Sequence, residues 1–272
     1  MVTNYDEKEL NQIVGRLIYL LCNENKELNF DDYEINKKSY KQNREIFHNL
    51  FMERKPAPLN SEFIKLQNEL LSYENDKKKL IDVDNFEYLK NMTIFVGDIA
   101  SLKADAIVVS CEGNLLGSFD PDDKSIASYI LTNGGLQIRQ ELNYITSRQN
   151  KIEPFGSSKI VKGYNLPSKY VILSVSPKIS YGRIGYKDKE NLVNCYKSSL
   201  ELAKEKNLSS IVFSSLSTGS KGYPKQLASE IAVATVSNWL KVNNYPLKVI
   251  FCVNDKTNLE HYKISFVDYD II

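Results

Sequence analysis

The chain has 272 residues, of which 42% are apolar, and its 35 basic and 34 acidic residues leave a net charge of +1. This length and apolar fraction suffice for one sizeable core, so we expect one domain with an appendage or two small domains. The near-neutral charge disfavours a general nucleic-acid-binding protein, because such proteins usually carry a basic excess.

Cysteine and histidine are few and scattered along the chain. The cysteines stand at positions 22, 111, 195 and 252, and the histidines at 48 and 261. A structural zinc site needs clustered thiolates, imidazoles or carboxylates, so the sequence predicts no metal and no cofactor. Unclustered cysteines fit a reducing compartment. Because no apolar run approaches the roughly 20 residues that span a bilayer, we expect a soluble, cytoplasmic protein without a membrane partner.

The composition and apolar spacing of the first third of the chain are typical of a helical region. Gly15 is the only glycine in residues 1–90. Apolar residues recur at helical spacing over 6–23 and 41–53, which predicts two amphipathic helices. We therefore predict a helical N-terminal extension over 1–90 that packs on a unit formed by 91–272.

A third helix is predicted after a proline-marked stop at 56–58. Asn60 or Ser61 is placed to cap its first turn. The charged run 74–79 that follows this helix is interpreted as a solvated turn.

From residue 92 the pattern changes to short apolar strands that alternate with helices. This alternation predicts a layered α/β domain whose strands are covered on both faces. The strand candidates are 92–97, 104–110, 158–164, 169–176, 209–214 and 247–253; the helix candidates are 123–132, 135–148, 187–206, 224–243 and 256–263.

Two polar loops that follow apolar strands are candidate ligand contacts. In Gly97-Asp98-Ile99 the carboxylate either caps a turn or accepts a hydrogen bond from a ligand amine or hydroxyl. In the segment 215–222, hydroxyls and backbone N–H groups near the start of a helix suit phosphate oxygens, although an ordinary strand-to-helix connection has the same pattern. Two further features are Gly134, predicted to cap a helix C-terminus, and the loop 181–186, which is either a flexible aromatic connection or a cover for the ligand.

The order of several motifs resembles the macrodomain family. The motifs are Gly97-Asp98-Ile99, Asp105-Ala106-Ile107-Val108, a glycine-marked segment, Gly163-Tyr164-Asn165-Leu166-Pro167 and Ser217-Thr218-Gly219. This resemblance implies a three-layer α/β/α fold with a mixed central sheet that binds ADP-ribose or an ADP-ribosylated protein. The helical extension, with Pro56-Ala57-Pro58-Leu59, is similar to that of the zinc-containing, sirtuin-linked hydrolase branch of the family.

The resemblance also implies roles for individual residues. Asp98 would bond the adenine amine, with Ile99 packed near it. The diphosphate would be wrapped by Ser217, Thr218, Gly219, Ser220, Lys221 and Gly222, and Tyr223 would lie near the distal ribose or close that loop. The opposite wall would be lined by Gly113, Asn114, Gly117 and Ser118.

The chain departs from the family pattern at the end that should hold the distal ribose. Glu112 stands where the family has an asparagine, and Lys221 where it often has an aromatic residue. An ionised carboxylate only accepts hydrogen bonds, so Glu112 would repel phosphate, favour hydroxyl or amine donors, or act as a general base.

The zinc ligands of that branch are replaced as well. The Cys, His and Cys of the branch correspond to Ser118, Asp123 and Ser125, which are poor zinc ligands, so we predict no zinc. Three functions remain open: an ADP-ribose-binding module, a metal-independent hydrolase that uses Glu112, and a degenerate interaction subunit.

Overall fold

The computed structural model describes residues 5–149, 151–179 and 182–272. Helices alternate with strands from residue 92 onward, as the sequence predicts. The helices are α1 (Glu7–Glu24), α2 (Tyr40–Glu53), α3 (Ser61–Asp76), α4 (Ile126–Gly134), α5 (Leu136–Gln149), α6 (Tyr186–Glu205), α7 (Lys225–Asn243) and α8 (Lys256–Asp268). The strands are β1 (Ile81–Asp82), β2 (Met92–Val96), β3 (Leu102–Lys103), β4 (Ala106–Cys111), β5 (Ser158–Lys162), β6 (Tyr170–Val175), β7 (Ser210–Ser214) and β8 (Lys248–Val253).

The central sheet is mixed and has the strand order β2-β8-β7-β4-β6-β5 within the described residues. All neighbouring strands are parallel except β5, which runs antiparallel to β6 at one edge. The inner strands are almost continuously buried, as expected for parallel strands that are covered on both faces. Since β2, β8, β7, β4 and β6 run in the same direction, their carboxyl ends meet at one edge of the sheet.

Helices cover both faces of this sheet, so the predicted three-layer α/β/α architecture is confirmed. Successive residues of β4 point to opposite faces: Val108 packs with residues of α6, α7 and α8, whereas Val109 packs with residues of α4 and α5. The two apolar clusters are therefore separated by the sheet itself.

The N-terminal helices form an apolar cluster of their own and rest on the α4–α5 layer. Phe47, Phe63 and Leu70 are fully buried in this cluster, and Leu136 of α5 completes it. The predicted cap of α3 is confirmed, because the Asn60 side chain accepts a hydrogen bond from the N–H of Glu62. The macrodomain-like layers and the helical segment therefore share buried surface.

Two local predictions are wrong, the first of them only in part. The run 74–79 is a solvated turn only in its second half, where Lys77 and Lys79 are exposed; in its first half Asn75 is buried within α3, and Glu74 pairs with Arg44 of α2 at 2.7 Å. The cap of α4 is Gly135, with φ of +102°, while Gly134 still belongs to the helix. In the part of the chain that the structure describes, no helix is long and apolar enough to cross a membrane.

Candidate functional site

A cleft of about 930 Å³ opens at the carboxyl edge of the central sheet. Its walls are the ends of β2, β4, β7 and β8, the loops that follow them, and the first turn of α4. Ligands of open α/β sheets bind at this edge, because the connecting loops diverge there. The two polar loops that stand out in the sequence, 97–99 and 215–222, both contribute to the walls.

Asp98 lies at the end of the cleft beside β2 and β8, and its carboxylate has two protein partners. Oδ1 accepts a hydrogen bond from the N–H of Ala100 at 2.9 Å, so the residue caps a short helical turn. Oδ2 accepts one from the hydroxyl of Tyr129 at 2.8 Å. Burial, and then the bond to Asp98, raise the pKa of Tyr129. Each carboxylate oxygen has two lone pairs, so Asp98 can cap the turn and still accept a ligand amine.

The loop after β7 is held in shape by its own side chains. Ser217 has a positive φ of +65° and is buried; its N–H donates to Ser110 Oγ at 3.0 Å and its hydroxyl to the oxygen of Pro177 at 2.9 Å. The hydroxyl of Thr218 donates to the oxygen of Ser215 at 2.9 Å. These hydroxyls therefore brace the loop, whereas the sequence predicts that they contact phosphate.

The donors of this loop that have no acceptor among the described residues are main-chain N–H groups. Among the described residues, no acceptor binds the N–H groups of Gly219, Ser220 and Lys221. Gly219 and Ser220 are exposed in the cleft, and a Cβ added to Gly219 would meet no atom within 4 Å. Successive free N–H groups just before helix α7 form the kind of concave surface that binds anions.

The main-chain N–H groups of Gly222 and Tyr223 stabilise this loop. The N–H of Tyr223 donates to the oxygen of Ser217 at 3.0 Å, and that of Gly222 donates to Gly219 at 2.9 Å. The Tyr223 ring is buried in the core beneath α7. Neither residue belongs to the lining of the cleft as the described residues define it.

On the opposite wall, fewer of the suggested residues line the cleft than the sequence indicates. Gly117, with φ of +73°, and Ser118 line the cleft, but Gly113 and Asn114 are not in the described lining. Gly113 instead packs against the main chain of Glu153, where an added Cβ would lie 2.6 Å from the oxygen. Asn114 folds back on its own turn and accepts from the N–H of Leu116 at 3.2 Å.

The two departures from the family pattern, Glu112 and Lys221, are in contact. The Lys221 ammonium lies 3.3 Å from Glu112 Oε1 and donates to the main-chain oxygens of Cys111 at 2.6 Å and Ser176 at 2.8 Å. The resemblance assigns Lys221 to the diphosphate, whereas its ammonium is held by these two main-chain oxygens beside Glu112. The opposite charges of the two departures were a signal for this contact that sequence reasoning missed.

The three residues that the resemblance matches to zinc ligands, Ser118, Asp123 and Ser125, all have hydrogen-bond partners within the protein. Ser118 Oγ accepts from the N–H of Asp120 at 3.1 Å, and Ser125 caps the N-terminus of α4. Asp123 Oδ2 accepts from the hydroxyls of Ser125 and Ser128. Burial raises the pKa of Asp123, but these two hydroxyl bonds outweigh it and hold the pKa below its usual value. Over residues 5–149, 151–179 and 182–272, no three His, Cys, Asp or Glu side chains group as a metal site.

Two residues outside the motifs connect the cleft to the N-terminal helices. Arg139 of α5 is buried, and its guanidinium donates to the oxygens of Leu116 and Ser118 in the cleft wall and to those of Phe51, Met52 and Arg54 at the end of α2. Burial, together with the neighbouring Arg54, lowers the pKa of Arg139 to about 10. At the other end of the cleft, Lys78 lies 5.6 Å above the Tyr129 ring.

The sequence offered only weak signals for these two residues. An arginine within an otherwise amphipathic helix looks like a surface residue, and Lys78 stood in a run that resembled a solvated turn. Of the loop 181–186, Tyr181 lies outside the described residues, and Arg183 is exposed.

Comparison with known proteins agrees with the fold. A family model described as Macro domain matches residues 108–232. A protein-ADP-ribose hydrolase of Staphylococcus aureus is 35% identical over 254 residues, which are 93% of this chain and 95% of that protein. One of Treponema medium is 35% identical over 216 residues, covering 76% of this chain and 81% of the relative.

Solved structures agree with these matches. The Oceanobacillus iheyensis macrodomain with ADP has a TM-score of 0.59 and 31% identity, with coverage of 66% of this chain and 91% of that chain. The fold, with helices on both faces of a mixed sheet and a cleft at its carboxyl edge, defines an α/β domain of the macrodomain type. The chain belongs to the macro domain family.

Proposed function

We propose that this protein binds ADP-ribose, or the ADP-ribosyl group of a modified protein, in the cleft at the carboxyl edge of the sheet. The observation that carries the proposal is the row of free N–H groups at 219–221, which lies in the same cleft as the Asp98 carboxylate. An anion cradle and a hydrogen-bond acceptor in one cleft suit a ligand that joins a diphosphate to a base with an amine. The cleft volume of about 930 Å³ lies within the usual range of ligand pockets.

The ligand would lie along the strand ends. We expect the adenine amine at Asp98 with the base against Ile99, which is 3% exposed. The diphosphate would lie over Gly219, Ser220 and the N–H of Lys221. The distal ribose would then reach Glu112, Gly117 and Ser118. The relatives support this class of ligand, since one solved macrodomain holds ADP and the curated relatives are named protein-ADP-ribose hydrolases.

We further propose that the protein does not carry out zinc-assisted hydrolysis. Serine hydroxyls at 118 and 125 bind zinc weakly, and the remaining carboxylate, Asp123, already accepts two hydroxyl hydrogen bonds. Metal analysis of the purified full chain tests this point. We expect less than one zinc per ten chains and the same ADP-ribose affinity with and without a chelator; one zinc per chain, whose removal abolishes binding, would contradict it.

A metal-independent hydrolase is the second candidate. It is favoured by the relatives' names and by Glu112, whose side chain is 64% exposed at the cleft and is suited to activate water. The Lys221 ammonium weighs against this role, because it lies 3.3 Å from Oε1 and so already engages one oxygen of the carboxylate.

Incubation with a mono-ADP-ribosylated protein separates the two candidates. We expect the modified protein to be retained by the chain without release of ADP-ribose. If ADP-ribose is released and Glu112→Gln abolishes the release, the metal-independent hydrolase is the correct function. If the chain neither retains nor cleaves the modified protein and also fails to bind free ADP-ribose, it is an interaction subunit instead.

A further inference from the structure

A loop with two exposed apolar side chains borders one end of the cleft. This rim loop, residues 151–157, lies between α5 and β5 and carries Ile152 and Phe155, which are 76% and 50% exposed. Exposed apolar residues that are scattered singly are common on protein surfaces. These two differ because they share one short loop, and because that loop is both fixed in shape and adjacent to the cleft.

The rim loop contacts the cleft wall at Gly113. The N–H of Glu153 donates to the oxygen of Gly113 at 2.9 Å, and a Cβ added to Gly113 would lie 2.3 Å from Ile152 Cγ2. The close approach of the two segments therefore requires a glycine at this position. Gly113 directly follows Glu112, which lines the cleft and has a 64% exposed side chain. Ile152 thus contacts the residue just outside the Glu112 end of the cleft.

The main chain of the rim loop is held in place on both sides. At its other end, the N–H of Gly156 donates to the oxygen of Val175 at 2.8 Å. Between the two attachments, Glu153 is buried, and its Oε1 lies 3.3 Å from the Lys159 ammonium. The two apolar side chains are therefore displayed on a preformed main chain, so a partner that covers them orders little additional chain on binding.

Basic residues predominate around the rim loop. Residues 148–159 contain three basic residues and one acidic residue, which is the buried Glu153. Arg148 and Lys151 are exposed, whereas Lys159 is partly covered by its contact with Glu153. Complementary charges steer partners to a surface, so this one favours a partner with acidic residues.

We propose that the rim loop is a docking surface for the polypeptide of an ADP-ribosylated protein, in which an apolar side chain near the modified residue covers Ile152 and Phe155 and acidic neighbours face the basic residues. The inference rests on the proposed function, because it assumes that the ADP-ribosyl group lies in the cleft with its distal ribose toward Glu112. A modified protein is attached to the ligand at that ribose, so its chain leaves the cleft beside Gly113 and meets the rim loop. The cleft binds the ADP-ribosyl group, and the rim loop discriminates among the sequences around it.

The test compares free ADP-ribose with two peptides of equal length that carry one ADP-ribosyl group through the same non-hydrolysable bond. The modified residue is flanked by leucine and glutamate in the first peptide, and by serine and lysine in the second. Calorimetric titration of the full chain measures the three affinities. We expect the wild type to bind the first peptide about tenfold more tightly than free ADP-ribose, the effect of burying one or two apolar side chains. The second peptide should bind no more tightly than free ADP-ribose.

Ile152→Ser and Phe155→Ser remove the apolar side chains of the rim loop. In the double variant, the ratio of first-peptide affinity to ADP-ribose affinity should fall toward one, and each single variant should give an intermediate ratio. The affinity for free ADP-ribose should stay the same, which also shows that the cleft is intact. Lys151→Gln should lower the ratio only about twofold, because an exposed charge is screened by water.

Val242→Ser is the matched control. Val242 is 74% exposed, much as Ile152 is, but it lies in the last turn of α7, whose first residue, Lys225, lines the cleft. The rise of a helix places these two residues of α7 about 25 Å apart. We expect Val242→Ser to leave all three affinities unchanged.

The outcomes separate the inference from the proposed function. If the wild type binds neither free ADP-ribose nor the peptides, the proposed function fails. If it binds all three probes equally, or if the double variant keeps the preference for the first peptide, the proposed function stands and the inference is overturned. Sedimentation of the unliganded wild type tests the other occupant of such a surface: a dimer that the double variant abolishes would assign the rim loop to a second copy of the chain and would also overturn the inference.

Discussion

Arg139 donates a hydrogen bond to the main-chain oxygen of Met52 at 2.9 Å, and the same guanidinium donates to Ser118 in the cleft wall at 2.9 Å. One buried side chain therefore joins the end of an N-terminal helix to a loop that lines the cleft. The last carbonyls of a helix have no partner within the helix, so α2 depends on this group for its C-terminus.

Replacing Arg139 by Met should destabilise the protein by about 3 kcal/mol or more, because several buried carbonyl oxygens lose their donor. Urea unfolding monitored by fluorescence and circular dichroism measures the loss. Hydrogen exchange should also rise at residues 116–118. The control is Arg16→Met, whose partner Glu62 is largely exposed, and it should cost less than about 1 kcal/mol. Equal effects of the two variants would refute the role of Arg139.

The N-terminal helices are expected to unfold together with the rest of the chain. We propose that 1–90 is an extension packed on 91–272 and that neither part is stable alone. Gln67 of α3 accepts a hydrogen bond from the N–H of Leu136 at 2.9 Å, and Leu136 completes the apolar cluster of the N-terminal helices. A fragment covering 91–272 should therefore lack a cooperative thermal transition at the temperature of the full chain. A fragment with the same transition and the same ligand affinity would contradict this proposal.

The stability of the chain should depend on pH through Asp105. Burial raises the pKa of this carboxyl, but hydrogen bonds from Lys169 and from the N–H groups of Ser209 and Ser210 outweigh it and lower the pKa. A carboxyl with a lowered pKa stabilises the fold above its unfolded pKa of about 3.9 and loses this contribution as the pH falls through its folded value.

Asp105→Asn should accordingly cost about 1–2 kcal/mol at pH 7. The difference from the wild type should shrink in urea unfolding as the pH falls from about 5 toward 3. A difference that is constant over this range would show that ionisation of Asp105 does not stabilise the fold. Glu62→Gln, which removes an exposed partner of Arg16, is the control and should show little effect at any pH.

Much of the fold could be predicted from the sequence. Buried parallel strands produce continuous apolar runs, so the observed β4, β6, β7 and β8 differ from the predicted ones by at most two residues at either end. Amphipathic spacing and a side-chain cap likewise identified α1, α2 and α3. These signals are local, because each element carries its own pattern of burial.

The errors concern contacts between elements. The charged run 74–79 looked solvated, since nothing near it in sequence shows that Arg44 of α2 would pair with Glu74. The same reason explains Arg139, whose partners are main-chain oxygens far along the chain. Of the two alternatives that the Asp98 motif left open, the structure shows the turn cap, and the same carboxylate lines the cleft, where a ligand contact stays a prediction.

At the loop 215–222, residue types indicated polar donors but not which of them are used within the protein. The hydroxyls of Ser217 and Thr218 and the ammonium of Lys221 are bonded to main-chain oxygens, and the proposed diphosphate contacts therefore fall on main-chain N–H groups. A sequence lists donors, whereas the fold decides which of them remain free.

Asp98 should contribute measurably to binding of the adenine end. Asp98→Ala should weaken ADP-ribose binding by about 1–3 kcal/mol, the value of a hydrogen bond to a charged group. Tyr129→Phe, which removes only the protein's own hydrogen bond to that carboxylate, should have a smaller effect. Calorimetry on both variants measures the contrast, and a loss in Tyr129→Phe as large as that in Asp98→Ala would mean that the carboxylate acts through the fold and not through the ligand.

Calorimetric titration of the full chain with ADP-ribose tests the central claim most directly. We predict saturable binding with one ligand per chain, accompanied by a rise in the thermal unfolding temperature that grows with ligand concentration. Absence of both heat and thermal shift at millimolar ADP-ribose would contradict the claim that the cleft is an ADP-ribose site.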